Sequence, residues 1–254
     1  MKVLCAKLVS DTASFVYPNM LVGRQVTYLV PPLSTIYGIL LSAAYESFDD
    51  SEIKVGFLFY SEGETVDVVN VSNNMKKGVE QIKTNVYVKE LLSNVRLELY
   101  IMSKNEELLD KFRHWLKYPK ERLFMGSSEH FVEPVKSEYV KCIQKPKKYL
   151  AGPGLYPVTW TKYAYGMKTI ERMSYYIVPP ERKRVLKSDF LALLDTQELS
   201  PEFEKDKDIL GDYIIVPTFD STARYYPTRY RVVYMWSIGK NAVNNPVFYD
   251  TTKV

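Results

Sequence analysis

Gln25-Val-Thr-Tyr-Leu-Val-Pro-Pro-Leu-Ser-Thr-Ile-Tyr-Gly-Ile-Leu-Leu-Ser-Ala-Ala-Tyr45 is the stretch on which the fold of this chain turns. It carries no charge, and its length is close to the ~20 residues of a membrane span. Pro31-Pro32 divides it, because proline lacks the amide that a helix interior needs, and what remains is too short to cross. The same prolines mark a helix start. Ser34 is the expected N-cap, its hydroxyl accepting a bond from a first-turn amide. Leu33, Ile36, Tyr37, Leu40, Leu41 and Ala44 then follow the i, i+3, i+4, i+7 spacing of a buried helical face. Gly38 and Ser42 lie one turn apart on another face, where small side chains admit a second backbone.

Reading outward, Val3–Val9 alternates as a strand, and Ser10–Val30 reads as a long ordered loop. Downstream, Ile53–Tyr60 and Glu64–Val71 are expected strands around a Ser61-Glu62-Gly63 turn, read as a hairpin. Residues 72–79 are polar and turn-rich, and Val95–Met102 alternates again. Asn105–Lys117 reads as a helix, with Glu106 and Glu107 at its positive end and Lys111, Arg113 and Lys117 toward the other. The order strand, helix, strand, strand, insertion, strand, helix resembles the βαββαβ ferredoxin-like pattern. Beyond Tyr118 the strands are short and broken by Pro and Gly, as in Ala151-Gly152-Pro153-Gly154. The expectation is an α+β fold. Residues 1–118 form a ferredoxin-like, RRM-like half with an insertion near 72–91, and residues 119–254 form a β-rich part packed on it.

The 254 residues are 46% hydrophobic and 25% charged, ordinary values for a globular chain. Cys5 and Cys142 form neither a zinc-ligand spacing nor a disulfide framework, so a reducing, cytoplasmic setting is expected. Lys7 interrupts the one early apolar stretch, and no export signal is read there. The net charge of +4 hides an asymmetry: residues 111–187 hold 17 Lys and Arg against 6 Asp and Glu. Clustered cations of this kind raise the local concentration of a polyanion. Tyrosine is abundant at 21 and often stands beside basic residues. Examples are Trp160 through Arg172, and Arg224-Tyr-Tyr-Pro-Thr-Arg229-Tyr230-Arg231. Tyrosine rings can stack unpaired bases while Lys and Arg follow the backbone. A sheet with tyrosines on one face and solvated charges on the other explains each stretch equally well. Lys145-Pro-Lys147-Lys148 and Glu181-Arg-Lys-Arg184 also read as basic loops.

Two segments resemble a known family. Asp11-Thr-Ala-Ser-Phe-Val-Tyr-Pro18, followed by residues 25–45, is similar to the N-terminal signature of the CRISPR-associated Cas-five (Cas5) family of the RAMP superfamily. That signature is Ala-Ser-Phe-x-x-Pro, then Thr-Tyr-x-x-Pro-Pro-x-(Ser/Thr)-Thr-Ile-x-Gly-Leu-Leu. Leu123-Phe-Met-Gly-Ser-Ser-Glu-His-Phe131 is similar to the family's Leu-Gly loop. The resemblance implies a protruding β-hairpin "thumb" and a non-catalytic RNA-binding role in antiviral defence. It implies that the chain anchors the crRNA 5′ handle, caps the backbone subunit filament of a type I Cascade complex and seats the large subunit that inspects target DNA. Type I-B is among the systems whose members it is similar to. The expected RNA contacts are Arg24, Thr27, Tyr28, Ser34, Thr35, Gly126, Ser127 and Lys162. Relatives often carry Arg at the positions of Val16 and Ser127; Arg24, Lys120 and Arg122 are the nearby cations here.

The alternative is metal-independent cleavage of precursor crRNA, which needs a base for the ribose 2′-OH and an acid for the leaving oxygen. His114 and His130 are the only histidines. His130, with Tyr45 and Lys117, is the candidate set. No Walker loop, Cys/His metal cluster or Gly-x-Ser-x-Gly elbow is present, so no cofactor is expected.

Overall fold

Thirteen strands dominate the described part of the chain, and strand β1 (Lys2–Ala13) explains why they assemble as they do. Its residues Val3 to Ala6 are buried without interruption. Successive side chains in a strand point to opposite faces. Leu4, Ala6 and Leu8 belong to the main core, whereas Val3 and Cys5 belong to a smaller second one. The sheet is covered on both sides. The computed structural model describes residues 2–18, 23–73, 83–143, 146–177, 185–206, 212–217 and 230–239.

In chain order the other elements are β2 (Arg24–Gln25), α1 (Leu33–Ala43), β3 (Ile53–Tyr60), β4 (Gly63–Asn73), β5 (Lys83–Ser103), α2 (Glu106–Lys117) and β6 (Lys136–Lys141). They continue as β7 (Leu150–Ala151), β8 (Gly154–Tyr156), β9 (Lys168–Ile177), β10 (Val185–Leu193), β11 (Gln197–Glu198), α3 (Glu202–Lys205), β12 (Asp212–Pro217) and β13 (Tyr230–Ser237). The main sheet runs β11-β7-β13-β3-β5-β1-β6, and β8-β10-β9 form a second sheet. Strands β3, β5, β1 and β6 lie antiparallel to one another in that order. The fold is mixed α+β and mostly strand, and no helix among the described residues is long and apolar enough to cross a membrane.

Four local expectations change. The loop expected over Ser10–Val30 is partly strand, since β1 runs on to Ala13 and β2 pairs with β5 at Val88 and Lys89. Ser61-Glu62-Gly63 is not a hairpin turn. β3 pairs with the second half of β5 (Tyr60 opposite Arg96) and β4 with its first half (Gly63 opposite Ser93), so the chain runs straight on. The break falls opposite Asn94, which has φ +47° and donates from Nδ2 to Glu62 at 2.7 Å. Asparagine tolerates this left-handed conformation better than most residues. Beyond that pivot, β4 stays paired with residues 83–93 of β5 as an arm, which β1 still flanks at Leu92 and Ser93 and β2 at Val88 and Lys89.

The third change is at α1, whose N-cap is Pro32 in an extended conformation, with no side-chain cap. The Ser34 hydroxyl lies 2.6 Å from that of Ser174 on β9 instead. Fourth, the buried face of α1 is Leu33, Ile36, Ile39, Leu40 and Ala43, and Leu41 is exposed. The helix packs against β9 as well as the sheet side, which rotates the buried arc away from Leu41. Helix α2 matches its expectation: Asn105 Oδ1 accepts from Leu108 N at 3.2 Å, and Leu108, Leu109, Phe112, Trp115 and Leu116 face the core.

The C-terminal strands join the N-terminal sheet directly. β13 pairs with β3 through Trp236 opposite Val55, and the Trp236 indole donates to the Leu155 carbonyl at 3.2 Å. Ile214, Val216, Val233 and Met235 of β12 and β13 close the second core over Val3, Cys5, Leu58 and Tyr100. The buried Glu98 carboxylate on that face accepts from Tyr100 Oη at 2.9 Å, with Arg96 Nε 3.7 Å away. A buried charge needs such partners.

Candidate nucleic-acid interface

Ser14 and Gly126 bring two distant segments together. Residues 14–17 pair with 26–28, through Tyr28 N to Phe15 O at 2.9 Å and Tyr17 N to Val26 O at 3.0 Å. On their other side Ser14 bridges Gly126. Gly126 has φ +96°, and a Cβ there would collide with the Ser14 carbonyl. Only glycine fits both demands. The loop that follows is closed by Met125 N to His130 O at 2.8 Å and His130 N to Ser127 O at 3.1 Å. Buried Lys89 reaches across from β5 to Glu129 Oε2 at 2.5 Å and Ser127 Oγ at 3.4 Å. This bond to Lys89 holds the Glu129 carboxyl below its ordinary value.

Between that loop and α1 lies an open groove of ≈ 460 Å3. Ser34, Thr35, Gly38, Leu41 and Ser42 form its helical wall, with Phe124, Gly126 and Ser128 opposite and Ile177 of β9 at its margin. Among the described residues no charged side chain lines it. Hydroxyls, two glycines and an aromatic edge suit a sugar or a base better than a bare phosphate, although the positive end of the α1 dipole is close by.

The expected contact residues divide. Ser34, Thr35 and Gly126 line the groove, and Ser127 sits in its loop. Thr27 and Tyr28 are interior. Thr27 Oγ1 accepts from Phe15 N at 2.7 Å and donates to Tyr28 O. Tyr28 stacks on Tyr17 at 3.7 Å and donates to the Arg172 carbonyl at 2.8 Å. Arg24 is exposed but both Nε and Nη2 bind Glu90 Oε1, at 2.8 and 2.6 Å. Lys162 lies outside the groove and pairs with Asp206 at 2.7 Å.

The Trp160–Arg172 stretch is divided, with Tyr165, Met167 and Ile170 exposed. Trp160 and Tyr163 are buried against Phe203, and Lys168 Nζ donates to the carbonyls of Thr161 and Ala164. Lys148 is paired with Glu198. Lys145, residues 181–184 and residues 224–229 lie outside the described residues.

Of the candidate acid-base groups, His130 is buried, with Nδ1 2.7 Å from Thr12 Oγ1. Burial, and then Lys89, push its imidazole below the ordinary 6.5. Tyr45 is exposed and Lys117 stands on the outer face of α2, over the Tyr118 ring. Among the described residues no group of three or more His, Cys, Asp and Glu side chains is placed to hold a metal.

The signal that sequence reading missed is the pairing of cations. Arg24, Lys89, Lys148 and Lys162 are each bound to a carboxylate, whereas Arg113, Lys117, Lys120, Arg122 and Lys136 have no carboxylate at ion-pair distance among the described residues.

The family model described as CRISPR-associated protein (Cas_Cas5) matches residues 3–230, and the chain belongs to that family. No curated protein gives a sequence match. Among solved structures, a chain of a "CRISPR RNA-guided surveillance complex" has a similar fold, with TM-score 0.52, 14% identity, and 78% of this chain and 90% of that chain covered. A chain from a cryo-EM structure of the type III-B Cmr-beta bound to cognate target RNA gives TM-score 0.49, 11% identity, and coverage of 84% and 90%.

Proposed function

We propose that this chain is a non-catalytic RNA-binding subunit of a CRISPR type I Cascade effector complex. It anchors the crRNA 5′ handle, caps the backbone subunit filament and seats the large subunit. One observation carries the reading. The two family-like segments, far apart in sequence, meet at the Ser14–Gly126 bridge, and the second supplies the wall of the groove opposite α1. The family match over residues 3–230 and the fold shared with a chain of an RNA-guided surveillance complex support the same assignment.

The strand order β6-β1-β5-β3, with α1 after β1 and α2 after β5, supports a ferredoxin-like, RRM-type reading of the first half. The arm formed by β4 and the first half of β5 fits the thumb, which then begins at Gly63 and is longer than the 72–91 insertion. One face of an RRM-like sheet ordinarily stacks bases. Here β12 and β13 roof that face, which favours the groove as the RNA seat.

Filter binding of the repeat-derived handle RNA to purified protein, over a salt series, tests the proposal. The log of the affinity should fall by about 0.7 per phosphate neutralised, and Thr35→Arg or Gly38→Leu should abolish preference for the handle over a scrambled strand. Equal binding of both strands by the wild type refutes handle recognition. Incubation with repeat RNA in EDTA tests catalysis: a discrete product lost in His130→Ala overturns the non-catalytic assignment.

A further inference from the structure

The groove and the basic flank are physically joined. Residues 118–124 and 130–136 run side by side, held by Val132 N to Leu123 O at 3.1 Å and the Phe124–Phe131 bridge. One end of this ribbon, at Phe124 and Gly126, forms the outer wall of the α1 groove. Its other end, at Tyr118, Val135 and Lys136, lines a second cavity of ≈ 510 Å3 with Arg113, His114 and Lys117 of α2. Lys120 N and Glu121 N donate to the carbonyls of Ala43 and Ser42, which fastens the ribbon to the last turn of α1.

The outer face of the ribbon carries large apolar rings in water. Tyr118 is 53% and Phe131 50% exposed, and Tyr45, just past α1, is 54% exposed. Each of the first two is covered by a cation: Lys117 lies 5.1 Å from the Tyr118 ring centre and Arg122 lies 4.6 Å from that of Phe131. His114 stands 5.3 Å from Tyr118. Asp110 is the one acid lining the second cavity among the described residues, and it accepts from Tyr139 Oη at 2.5 Å. Exposed rings interleaved with unpaired cations attract a chain that is anionic along its backbone and flat at its side groups. A protein partner would use the rings but leave several desolvated positive charges without neutralisation, which is costly.

We infer that Tyr118 and Phe131 form a base-stacking strip, flanked by Arg113, Lys117, Lys120, Arg122 and Lys136, that carries single-stranded RNA from the α1 groove to the α2 cavity. The inference rests on the RNA-anchoring reading and extends its footprint beyond the groove. Each ring contributes a stack that tolerates any base, and adenine, the better stacker, gains most.

The test is fluorescence anisotropy with short oligoadenylate and oligouridylate on the full chain. Wild type should bind oligoadenylate more tightly. Tyr118→Leu and Phe131→Leu should each weaken that binding about tenfold, within the range known for ring removal, and should erase the adenine preference. The salt dependence should stay unchanged. Lys117→Ala and Arg122→Ala should each reduce the salt slope by about 0.7. Both rings are half-exposed, so thermal melts of the Leu variants should match wild type; a variant that melts early is replaced by Tyr118→Met or Phe131→Met. RNA binding that responds to Gly38→Leu but is indifferent to both ring substitutions overturns the strip and leaves the groove reading intact. Absence of salt-sensitive RNA binding altogether overturns both. Unchanged RNA affinity together with loss of a protein contact in the ring variants assigns the strip to a protein partner and refutes it for RNA.

Discussion

Two glycines face each other across the groove, and the same substitution should have opposite effects on them. At Gly126 the backbone has φ +96°, and a methyl group points into the Ser14 carbonyl. A left-handed conformation costs a residue with a Cβ about 1–2 kcal/mol. Relieving the collision means moving the loop away from Ser14, which sacrifices the bridge there at about 1 kcal/mol for a hydrogen bond. The smaller entropy of the unfolded alanine chain offsets about 0.4–1 kcal/mol. Gly126→Ala should therefore destabilise by about 2 kcal/mol, a fall in Tm of roughly 4–8 °C for a chain of this size. At Gly38, inside α1, an added Cβ has nothing within 4 Å. Gly38→Ala should gain about 1 kcal/mol of helix propensity and raise Tm by roughly 2–4 °C. Circular-dichroism melts of the two variants decide the matter. If Gly126→Ala melts with wild type, the loop is not pressed on Ser14 as described, and the groove loses its fixed wall.

Glu129 gives a pH test. Its folded pKa is depressed by Lys89, so the pair's stabilisation is present above the unfolded value, near the ordinary 4.5, and is lost as pH falls through the depressed folded value. Melts of wild type and Glu129→Gln should differ near neutrality, by an amount typical of a half-exposed pair (about 1 kcal/mol or less), and converge in acid; a gap independent of pH would refute the linkage. Trp236→Ala removes a fully buried ring packed on Phe190 and Tyr234 and leaves the Leu155 carbonyl without its donor. It should cost about 3–5 kcal/mol in urea unfolding, and a loss under 1 kcal/mol would mean that the β13–β3 seam is not part of the core.

Helix α2 was legible because its signals were local: two glutamates in the first turn, and Lys111, Arg113 and Lys117 toward the other end. Helix α1 was legible as a helix but not at its edge. Pro32 supplies the extended cap geometry itself, and the Ser34 hydroxyl is drawn to Ser174, 140 residues away. Leu41 fitted the apolar stripe, yet the arc that is buried depends on β9, which no nearby residue announces. The strand pair around Ser61 failed for a related reason. Alternation identifies strands, but whether two of them fold back or continue depends on the partner strand, here β5. Of the site, the glycine loop and the hydroxyl wall could be read from the two motifs. The basic residues that remain available could not, since Arg24 is matched to Glu90 and Lys162 to Asp206 only after folding.

Strand β5 belongs to two structures at once, arm on one side of Asn94 and central sheet on the other. The arm is tied to the body by the Glu62–Asn94 bond at the pivot and again farther out, where β2 pairs at Val88 and Lys89 and Lys89 reaches Glu129. Cut beyond those ties, at Val68 and Val88, it is a cassette: tips of other lengths can be spliced in there while the register of the sheet and the contacts of Lys89 stay as they are.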